Sequence, residues 1–202
     1  MNNQIDASAG NREEASRQKI LDCARELYIE FGLRRTTMDD VAKRAGMGRA
    51  TLYRRFSDKD QLFQAVIFRD VQQDIAKIEA AISRSPNYLE GLLDAFVMAV
   101  LLINRSPLLS RLLVTEPDLV LPFLSIQFES SMTFGRQFMA ERIAHGQQAK
   151  HIKQLPPDMT AEMILRLVQS LMLSPNGTIS ATDEASVRAF ADTLLRPLLQ
   201  PC

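Results

Sequence analysis

A short segment rich in arginine and hydroxyl side chains carries the strongest chemical signal in the sequence. Residues 48–56 read Gly-Arg-Ala-Thr-Leu-Tyr-Arg-Arg-Phe. The guanidinium of Arg49 can donate two parallel hydrogen bonds to O6 and N7 of guanine. The hydroxyls of Thr51 and Tyr53 can donate to phosphate oxygens, which position a protein on a duplex. Side chains of these types in one short segment are typical of contact with nucleic acid.

Two short helices are predicted to position these side chains. Residues 37–45 and 48–56 have helical patterns, and the Ala-Gly-Met-Gly sequence at 45–48 supplies a glycine turn between them. Thr37 can cap the first helix, and the aspartates that follow it favour the positive end of the helix dipole. Leu52 and Phe56 face inward as anchors. The spacing predicts a helix-turn-helix, whose second helix enters the major groove while the first spans the backbone.

The charge of this region supports the same interpretation. Residues 34–59 contain eight basic and three acidic side chains, a net charge of +5 in a chain whose formal total is zero. The neutral total excludes a polybasic tail and a protein that binds nucleic acid through bulk charge. A neutral chain with one basic end has the electrostatic pattern of a DNA-binding head.

Residues 16–65 resemble the DNA-binding domain of the tetracycline-repressor (TetR) family of bacterial transcription regulators. The matching motifs are Phe-Gly before a Thr-Thr helix start, DVAKRAG, RATLYRRF and DKDQLF. They cover about a quarter of the chain. The family commonly has serine where this sequence has Gly48, which removes one hydroxyl that could cap the second helix or contact phosphate. The resemblance implies a dimer on palindromic double-stranded operator DNA, with a divergent C-terminal domain that binds a small molecule and dimerises.

The resemblance also assigns DNA contacts to individual positions. It implies that Thr37, Tyr53 and Lys59 contact phosphate. Arg49 and Ala50 would face bases, and Thr51 and Arg54 would contact bases or phosphate. Gly48 lets the start of the helix lie close to another backbone. The predicted DNA-binding residues are Thr37, Gly48, Arg49, Ala50, Thr51, Tyr53, Arg54 and Lys59.

The remaining arginines near this region have less definite roles. Arg12 and Arg17 could form an arm on the backbone or in the minor groove. Arg55 could equally be solvated, ion-paired or in contact with DNA. Arg34 and Arg35 are expected to be solvated rather than to contact bases.

Apolar residues at helical spacing predict an all-α fold of about nine helices. The expected organisation is a disordered arm at 1–14, a three-helix DNA-binding domain at 15–60, and an effector-binding and dimerisation domain at 61–202. The expected helices cover about 16–31, 37–45, 48–56, 58–82, 87–104, 108–114, 123–148, 158–173 and 182–199.

Aromatic and methionine side chains concentrate in residues 96–139. Most are expected to be ordinary core, but rings and thioethers also line pockets for apolar ligands. Asn104, Gln127 and Arg136 are candidate polar groups for such a ligand. The predicted effector pocket consists of Phe96, Met98, Leu101, Phe128, Met132 and Met139.

The last two predicted helices carry apolar stripes. Either they pack within one subunit, or they pair with a second copy in a four-helix bundle, as the corresponding helices of the family usually do. The predicted dimer interface consists of Ile164, Leu167, Val168, Leu171, Val187, Phe190, Leu194 and Leu198.

Other classes of function lack support in the sequence. No enzyme motif, phosphate-binding loop or dinucleotide fingerprint occurs, so no catalytic residue and no cofactor is expected. His145 and His151, six residues apart, and the two cysteines do not form a metal-ligand pattern. The polar N-terminus has no apolar signal core, and a cytoplasmic, nucleoid-associated protein without a membrane partner is expected.

The sequence therefore predicts a homodimeric repressor that binds a palindromic operator. A small apolar effector is expected to release the repressor, and the sequence does not define the identity of that effector. An activator or a corepressor-dependent regulator of the same fold is the alternative. An architectural DNA binder without sequence preference, and a helical enzyme or ligand carrier, are more distant alternatives.

Overall fold

Helices make up the whole of the regular structure in the described part of the chain. A computed structural model describes residues 2–127 and 129–201, and within these ranges it contains no strand. The predicted all-α fold is confirmed. The helices are α1 (Asn2–Phe31), α2 (Met38–Ala45), α3 (Arg49–Arg55), α4 (Lys59–Ile82), α5 (Tyr88–Asn104), α6 (Pro107–Thr115), α7 (Pro117–Pro122), α8 (Glu129–Gln148), α9 (Pro157–Leu173), α10 (Glu184–Phe190) and α11 (Arg196–Leu199), with π-helical turns at Phe123–Gln127 and Ala191–Leu195.

The first helix is longer at its N-terminal end than the sequence predicts. α1 begins at Asn2 and continues to Phe31, so residues 2–14, for which we expected disorder, are helical. Its C-terminal half buries Ile20, Ala24 and Tyr28, in agreement with the predicted apolar pattern. Gly32 follows it with φ of 86°, a left-handed conformation that favours glycine and ends the helix.

One compact unit consists of Met1–Arg69 together with Arg111–Asp118. Its core joins α1, α2, α3 and the first half of α4. The rings of Tyr28 and Phe63 meet edge to face with centroids 5.7 Å apart. The buried guanidinium of Arg69 donates to the Asp22 carboxylate at 2.6 Å and ties α4 to α1. The boundary falls later than the expected residue 60 because the first turns of α4, including the fully buried Leu62, belong to this core.

The other compact unit consists of Asp70–Ser110 and Leu119–Cys202. Its centre is α5, which is buried on several faces, as its nearly continuous apolar sequence predicts. Asn87 caps α5 by accepting a hydrogen bond from the backbone of Glu90 at 3.2 Å. The side chains of Leu93, Phe96 and Val100 contribute to a core shared with α8, α9 and the helical segment 184–199.

Two details of the second half differ from the sequence prediction. Residues 117–122 form the short helix α7, although prolines stand at both of its ends. The predicted helix at 182–199 is interrupted by the π-helical turn at Ala191–Leu195, which places one extra residue between successive turns. Among the described residues, no single helix is long and apolar enough to cross a membrane, although α5 and α6 reach that length and apolarity as a bent pair.

Candidate nucleic-acid interface

The first helix of the helix-turn-helix begins with a reciprocal cap. Thr37 accepts a hydrogen bond from the backbone of Asp40 at 3.2 Å, and the Asp40 carboxylate accepts one from the backbone of Thr37 at 3.0 Å. The hydroxyl of Thr37 also donates to the same carboxylate, and these hydrogen bonds lower the pKa of Asp40. This arrangement is a capping box, which fixes where α2 starts. It leaves the exposed Thr37 at the helix N-terminus, where the helix dipole favours a phosphate.

A left-handed glycine makes the turn between the two helices. Gly46 has φ of 67° and ψ of 38°, a conformation that costs a residue with a Cβ about 1–2 kcal/mol. Its N–H donates to Lys43, and the N–H of Met47 donates to the carbonyl of Ala42 at 3.0 Å. These bonds close the end of α2 and direct the chain into α3.

The recognition helix α3 is anchored by two fully buried side chains and exposes the predicted contacts. Leu52 is 0% exposed and Phe56, just after the helix, is 1% exposed. Because residues three and four apart share a helix face, burying Leu52 turns the other positions outward. The exposed positions are Arg49, Ala50, Tyr53 and Arg54, with Thr51 partly exposed.

The guanidinium of Arg49 is held by an acidic residue of α2. Its Nη2 lies 2.5 Å from a carboxylate oxygen of Asp39, and the Arg49 side chain remains 72% exposed. The pair joins the start of α3 to the first turn of α2. A guanine can therefore compete with Asp39 for the guanidinium. Asp39 thus acts through Arg49 as a positioning residue. From the sequence alone, Asp39 had a role only in the helix dipole.

We expect Asp39→Asn to raise the affinity for random duplex DNA by about threefold to fivefold, since it removes a negative charge beside the phosphates and frees Arg49. Because both effects act on any sequence, the ratio of specific to random affinity should fall. Fluorescence anisotropy on the two duplexes at two salt concentrations measures this change. In an Arg49→Ala background the substitution should have a smaller effect, and an equal effect in both backgrounds would refute the coupling.

The N-cap of α3 lacks a side chain. Gly48 has φ of −71° and ψ of 147°, and a Cβ placed on it would have no atom within 4 Å outside its neighbours. The backbone there suits an ordinary residue, and the N–H of Thr51 bonds only to the carbonyl of Gly48, at 3.0 Å. The position therefore has room and backbone geometry for a serine.

We expect Gly48→Ser to stabilise the chain by about 0.5–1 kcal/mol, because it restricts the unfolded backbone and supplies a capping hydroxyl. The midpoint of thermal unfolding should rise by about 1–4 °C. Differential scanning calorimetry measures the shift, and Gly48→Ala separates the backbone contribution from that of the cap. A lower midpoint for both variants would mean that the site requires glycine.

Several cationic side chains near the interface form contacts with other residues of the chain. Arg55 donates to the carbonyl of Glu13 at 2.9 Å and lies 3.8 Å from its carboxylate, which corresponds to the ion-paired alternative. The Arg17 guanidinium lies over the Phe56 ring, 5.2 Å from its centroid. Arg44 pairs with Glu30 at 3.1 Å, and this hydrogen bond raises its pKa. These arginines hold the head together.

Lys59, a predicted phosphate contact, has a structural bond as well. Its Nζ donates to the carbonyl of Leu33 at 3.0 Å and lies 3.4 Å from the carbonyl of Arg34. Both carbonyls belong to the segment between α1 and α2. The ammonium therefore ties the start of α4 to the loop that sets the position of α2.

We expect Lys59→Ala to weaken binding to specific and random DNA alike and to lower the salt slope by about one, as loss of one phosphate contact requires. It should also destabilise the chain by about 1 kcal/mol through loss of the charged hydrogen bond. Titrations across a salt series, together with urea unfolding, measure the two effects. If the salt slope is unchanged while the stability falls, Lys59 has a structural role and does not contact phosphate.

The segment 111–118 belongs to the same unit as the helix-turn-helix and was not identified by sequence reasoning. The buried carboxylate of Glu116 accepts from the backbone N–H of Arg34 at 2.9 Å. Asp118 pairs with the Arg34 guanidinium at 2.6 Å, and Arg111 donates to the carbonyl of Glu30 at 3.2 Å. Arg34 is therefore ion-paired rather than simply solvated. These partners lie about eighty residues apart in the chain, and no local pattern marks them.

A second candidate site is an apolar cavity within the unit that contains α5. It has a volume of about 100 Å³ and is walled by α4, α5, α8 and α9. Phe96, Met132 and Met139, predicted pocket residues, lie on its wall. Met98 and Leu101 do not, because they lie roughly 140–160° around α5 from Phe96 and join the core instead. Phe128 lies outside the described residues.

Two of the three candidate polar groups, Asn104 and Arg136, are not among the residues that line this cavity. Asn104 donates to the carbonyl of Val100 at 2.9 Å within its own helix. Arg136 lies 3.5 Å from the Glu162 carboxylate in a separate surface depression. The side chain of Gln127 is not among those described. The polar residues on the wall are instead Asp74, Ser131 and Gln169.

The residues predicted for a dimer interface divide between the interior and the surface. Ile164, Val168, Leu171 and Val187 are buried in the core of the chain itself. Leu167 and Phe190 pack partly against that core. Leu194 is 51% exposed and Leu198 is partly exposed. The exposed face of α9 adds Met159 and Met163, which the sequence analysis did not select.

The anchored, exposed recognition helix, the glycine turn and the surrounding cations define a helix-turn-helix DNA-binding regulator. Residues 20–66 match the family model described as bacterial regulatory proteins, tetR family. The HTH-type transcriptional regulator UidR of Escherichia coli K12 is 27% identical over 186 residues, 90% of each chain. A Staphylococcus aureus HTH-type transcriptional regulator is 43% identical over 56 residues, 28% of this chain and 30% of that protein.

Solved structures agree over nearly the whole fold. A TetR-family transcriptional regulator from Pectobacterium atrosepticum has a TM-score of 0.74 at 24% identity, covering 95% of this chain and 98% of that one. The repressor AlkX from Dietzia has a TM-score of 0.69 at 23% identity, covering 90% and 96%. Residues 20–66 thus carry the DNA-binding segment of the tetR family of bacterial regulatory proteins, and over most of its length the chain is similar to HTH-type transcriptional regulators. Its matched relatives are regulators, a role that is not enzymatic.

Proposed function

We propose that this protein is a homodimeric repressor that leaves a palindromic operator when a small apolar molecule binds its C-terminal unit. The observation that carries the proposal is the exposure of Arg49 at the start of a recognition helix pinned by Leu52. A DNA-binding head combined with a separate ligand cavity suits a repressor that acts by occupying its operator.

The DNA contacts follow the exposed face of α3. Arg49 pairs with guanine, while Ala50 and Thr51 lie against neighbouring base edges. Tyr53 and Arg54 bind phosphates, as do the N-terminus of α2 at Thr37 and the ammonium of Lys59. Base contacts supply sequence preference and phosphate contacts supply affinity and register.

A dimer is needed to read a palindrome. Two recognition helices must lie one helical turn of DNA apart, about 34–36 Å, on a fixed frame. The exposed apolar residues of α9 and of 191–199 (Met159, Met163, Leu194 and Leu198) support a contact between copies through these helices. Because a two-fold contact uses the same patch on both copies, this surface brings two heads to a single symmetric site.

The helix α4 supplies a route from ligand to DNA. Leu62 and Phe63 near its start pack in the core of the DNA-binding head, and Val71, Ile75 and Ile78 further along it wall the cavity. A ligand that binds better when α4 is displaced shifts the population toward that state. The displaced α4 changes the separation of the two heads and so weakens the operator complex.

The first test is selection of bound fragments from genomic duplex DNA at physiological salt. A palindromic motif with half-sites one turn apart supports the dimeric, sequence-specific reader. A reporter gene placed behind the selected motif should be silent with the wild-type protein and active with Arg49→Ala. Fragments without a shared motif would reject sequence-specific regulation, and a reporter that is active only with the wild-type protein would indicate an activator.

A further inference from the structure

The cavity wall is almost entirely apolar and its single charged group is negative. Side chains of α4, α5, α8 and α9 line it, among them Phe96, Phe138 and Met172. Three polar side chains, Asp74, Ser131 and Gln169, complete the described wall, which contains no lysine, arginine or histidine. Asp74 is therefore the one ionisable residue among the described residues of the wall.

An anionic ligand has no cationic partner among the described residues of the wall. The Gln169 amide already donates to the carbonyl of Leu124 at 3.0 Å. Of the arginines nearby, Arg142, next to the Phe138 ring, pairs with Glu79 at 2.9 Å, and Arg136 pairs with Glu162. A carboxylate or phosphate brought into this cavity would lose its hydration and meet only the like charge of Asp74.

A cationic ligand, in contrast, finds a carboxylate with a replaceable partner. The Asp74 side chain is 27% exposed and pairs with Lys77 at 2.6 Å on the same helix. The Lys77 side chain is 58% exposed, so it can return to solvent at small cost when another cation arrives. The rings of Phe96 and Phe138 and the thioethers of the wall attract a positive charge held close to them.

We propose that the effector is a lipophilic cation, a protonated amine or quaternary ammonium carried on a compact apolar body. The body fills the cavity of about 100 Å³, and the ammonium replaces Lys77 on the Asp74 carboxylate. A cavity near this size accommodates a body no larger than about one benzene ring. The identity of the ligand class rests on the proposed function, in which this cavity is the effector site.

The test compares three probes that share one ring and differ in charge: 2-phenylethylammonium, 2-phenylethanol and phenylacetate. Isothermal titration of the full-length protein without DNA measures each affinity. We expect the ammonium to bind about fivefold more tightly than the alcohol, as one partly exposed ion pair provides, and phenylacetate to bind most weakly. Equal affinity for the ammonium and the alcohol, or tighter binding of phenylacetate, would overturn the proposal.

Three variants assign the binding to this cavity. Asp74→Asn should remove the preference for the ammonium over the alcohol and leave the alcohol affinity unchanged. Glu141→Gln, which removes a 72% exposed carboxylate of α8 outside the cavity, is the matched control and should leave all three affinities unchanged. Ala99→Leu fills part of the cavity from α5 and should weaken the ammonium and the alcohol together. Circular dichroism checks that each variant is folded, and a folded Asp74→Asn with an unchanged preference would reject the role of Asp74.

A separate readout distinguishes this proposal from the proposed function. The anisotropy of the protein on its selected DNA is measured with and without 2-phenylethylammonium at a saturating concentration. Charge-selective binding that leaves the DNA complex intact would uphold the ligand class and reject effector release. Selected DNA with a palindromic motif, combined with no charge preference among the probes, would uphold the regulator and reject the ligand class.

Discussion

Arg49→Ala is expected to weaken binding to the selected operator by about 1–3 kcal/mol, or about fivefold to 150-fold, and to relax the preference at one base pair of each half-site. Arg49 stands at the start of α3 with its guanidinium exposed and paired with Asp39. A bidentate contact from that position discriminates guanine from the other bases. Affinity for random duplex should fall much less.

The measurement is a set of anisotropy titrations on the selected duplex, on duplexes changed at one base pair, and on random duplex. Arg55→Ala is the matched control on the same helix, because the Arg55 guanidinium faces the backbone of Glu13 rather than the exposed surface. We expect Arg55→Ala to leave base preference unchanged. An equal loss for Arg49→Ala on selected and random duplexes would reject base recognition by this residue.

Leu52→Ala is expected to have the largest effect on stability, about 2–5 kcal/mol for a fully buried leucine. Leu52 is the only residue of α3 that is fully enclosed among the described residues, and it holds the recognition helix on the rest of the head. Since a domain is stable by about 5–15 kcal/mol, this loss removes a large share of the stability of the head and populates states in which α3 is undocked. DNA binding should then weaken on every sequence.

Urea unfolding gives the free energy, and hydrogen exchange locates the loss. The N–H of Phe56, bonded to the carbonyl of Leu52 at 3.0 Å, should exchange faster in the variant. Val114→Ala removes an apolar side chain that is 81% exposed and serves as the control, with a change within about 0.5 kcal/mol. A cost for Leu52→Ala no larger than that of the control would mean that α3 is not held by this anchor.

The helix-turn-helix could be predicted because its signals are local. The cap at Thr37, the glycine at 46 and the inward positions of Leu52 and Phe56 each lie within a few residues of the helix that they define. Such short-range features depend on backbone geometry that each segment carries by itself. The structure accordingly retains the predicted exposed face of α3.

The partners of the interface cations could not be predicted, because they come from distant parts of the chain. Nothing near Arg34 in the sequence indicates that Glu116 and Asp118 bind its backbone and side chain. Arg55 and Lys59 likewise meet Glu13 and Leu33 only once the helices are packed. The charge counted over residues 34–59 indicates the sign of this region but does not distinguish cations that hold the head together from those that reach solvent.

At the cavity, too, the sequence predicts the kind of site but not which residues of a helix reach it. An aromatic and methionine-rich sequence predicted an apolar site in this region, and Phe96 lies on its wall. Met98 and Leu101, with the same chemistry, face other helices, since neighbours in sequence point in different directions around a helix axis. Asp74, the one ionisable residue among the described residues of the wall, lies on α4, far from the segment that the composition marked.

The sequence by itself determined most of the helices, the turn and the chemical types available on the recognition helix, because capping, helical period and glycine conformation are properties of short segments. The tertiary structure alone decided which cations remain exposed, which apolar residues line the cavity and which apolar residues are buried in the core of the chain. Those outcomes depend on the angles at which α4, α5, α8 and α9 pack, and packing is set by side chains that are distant in the sequence.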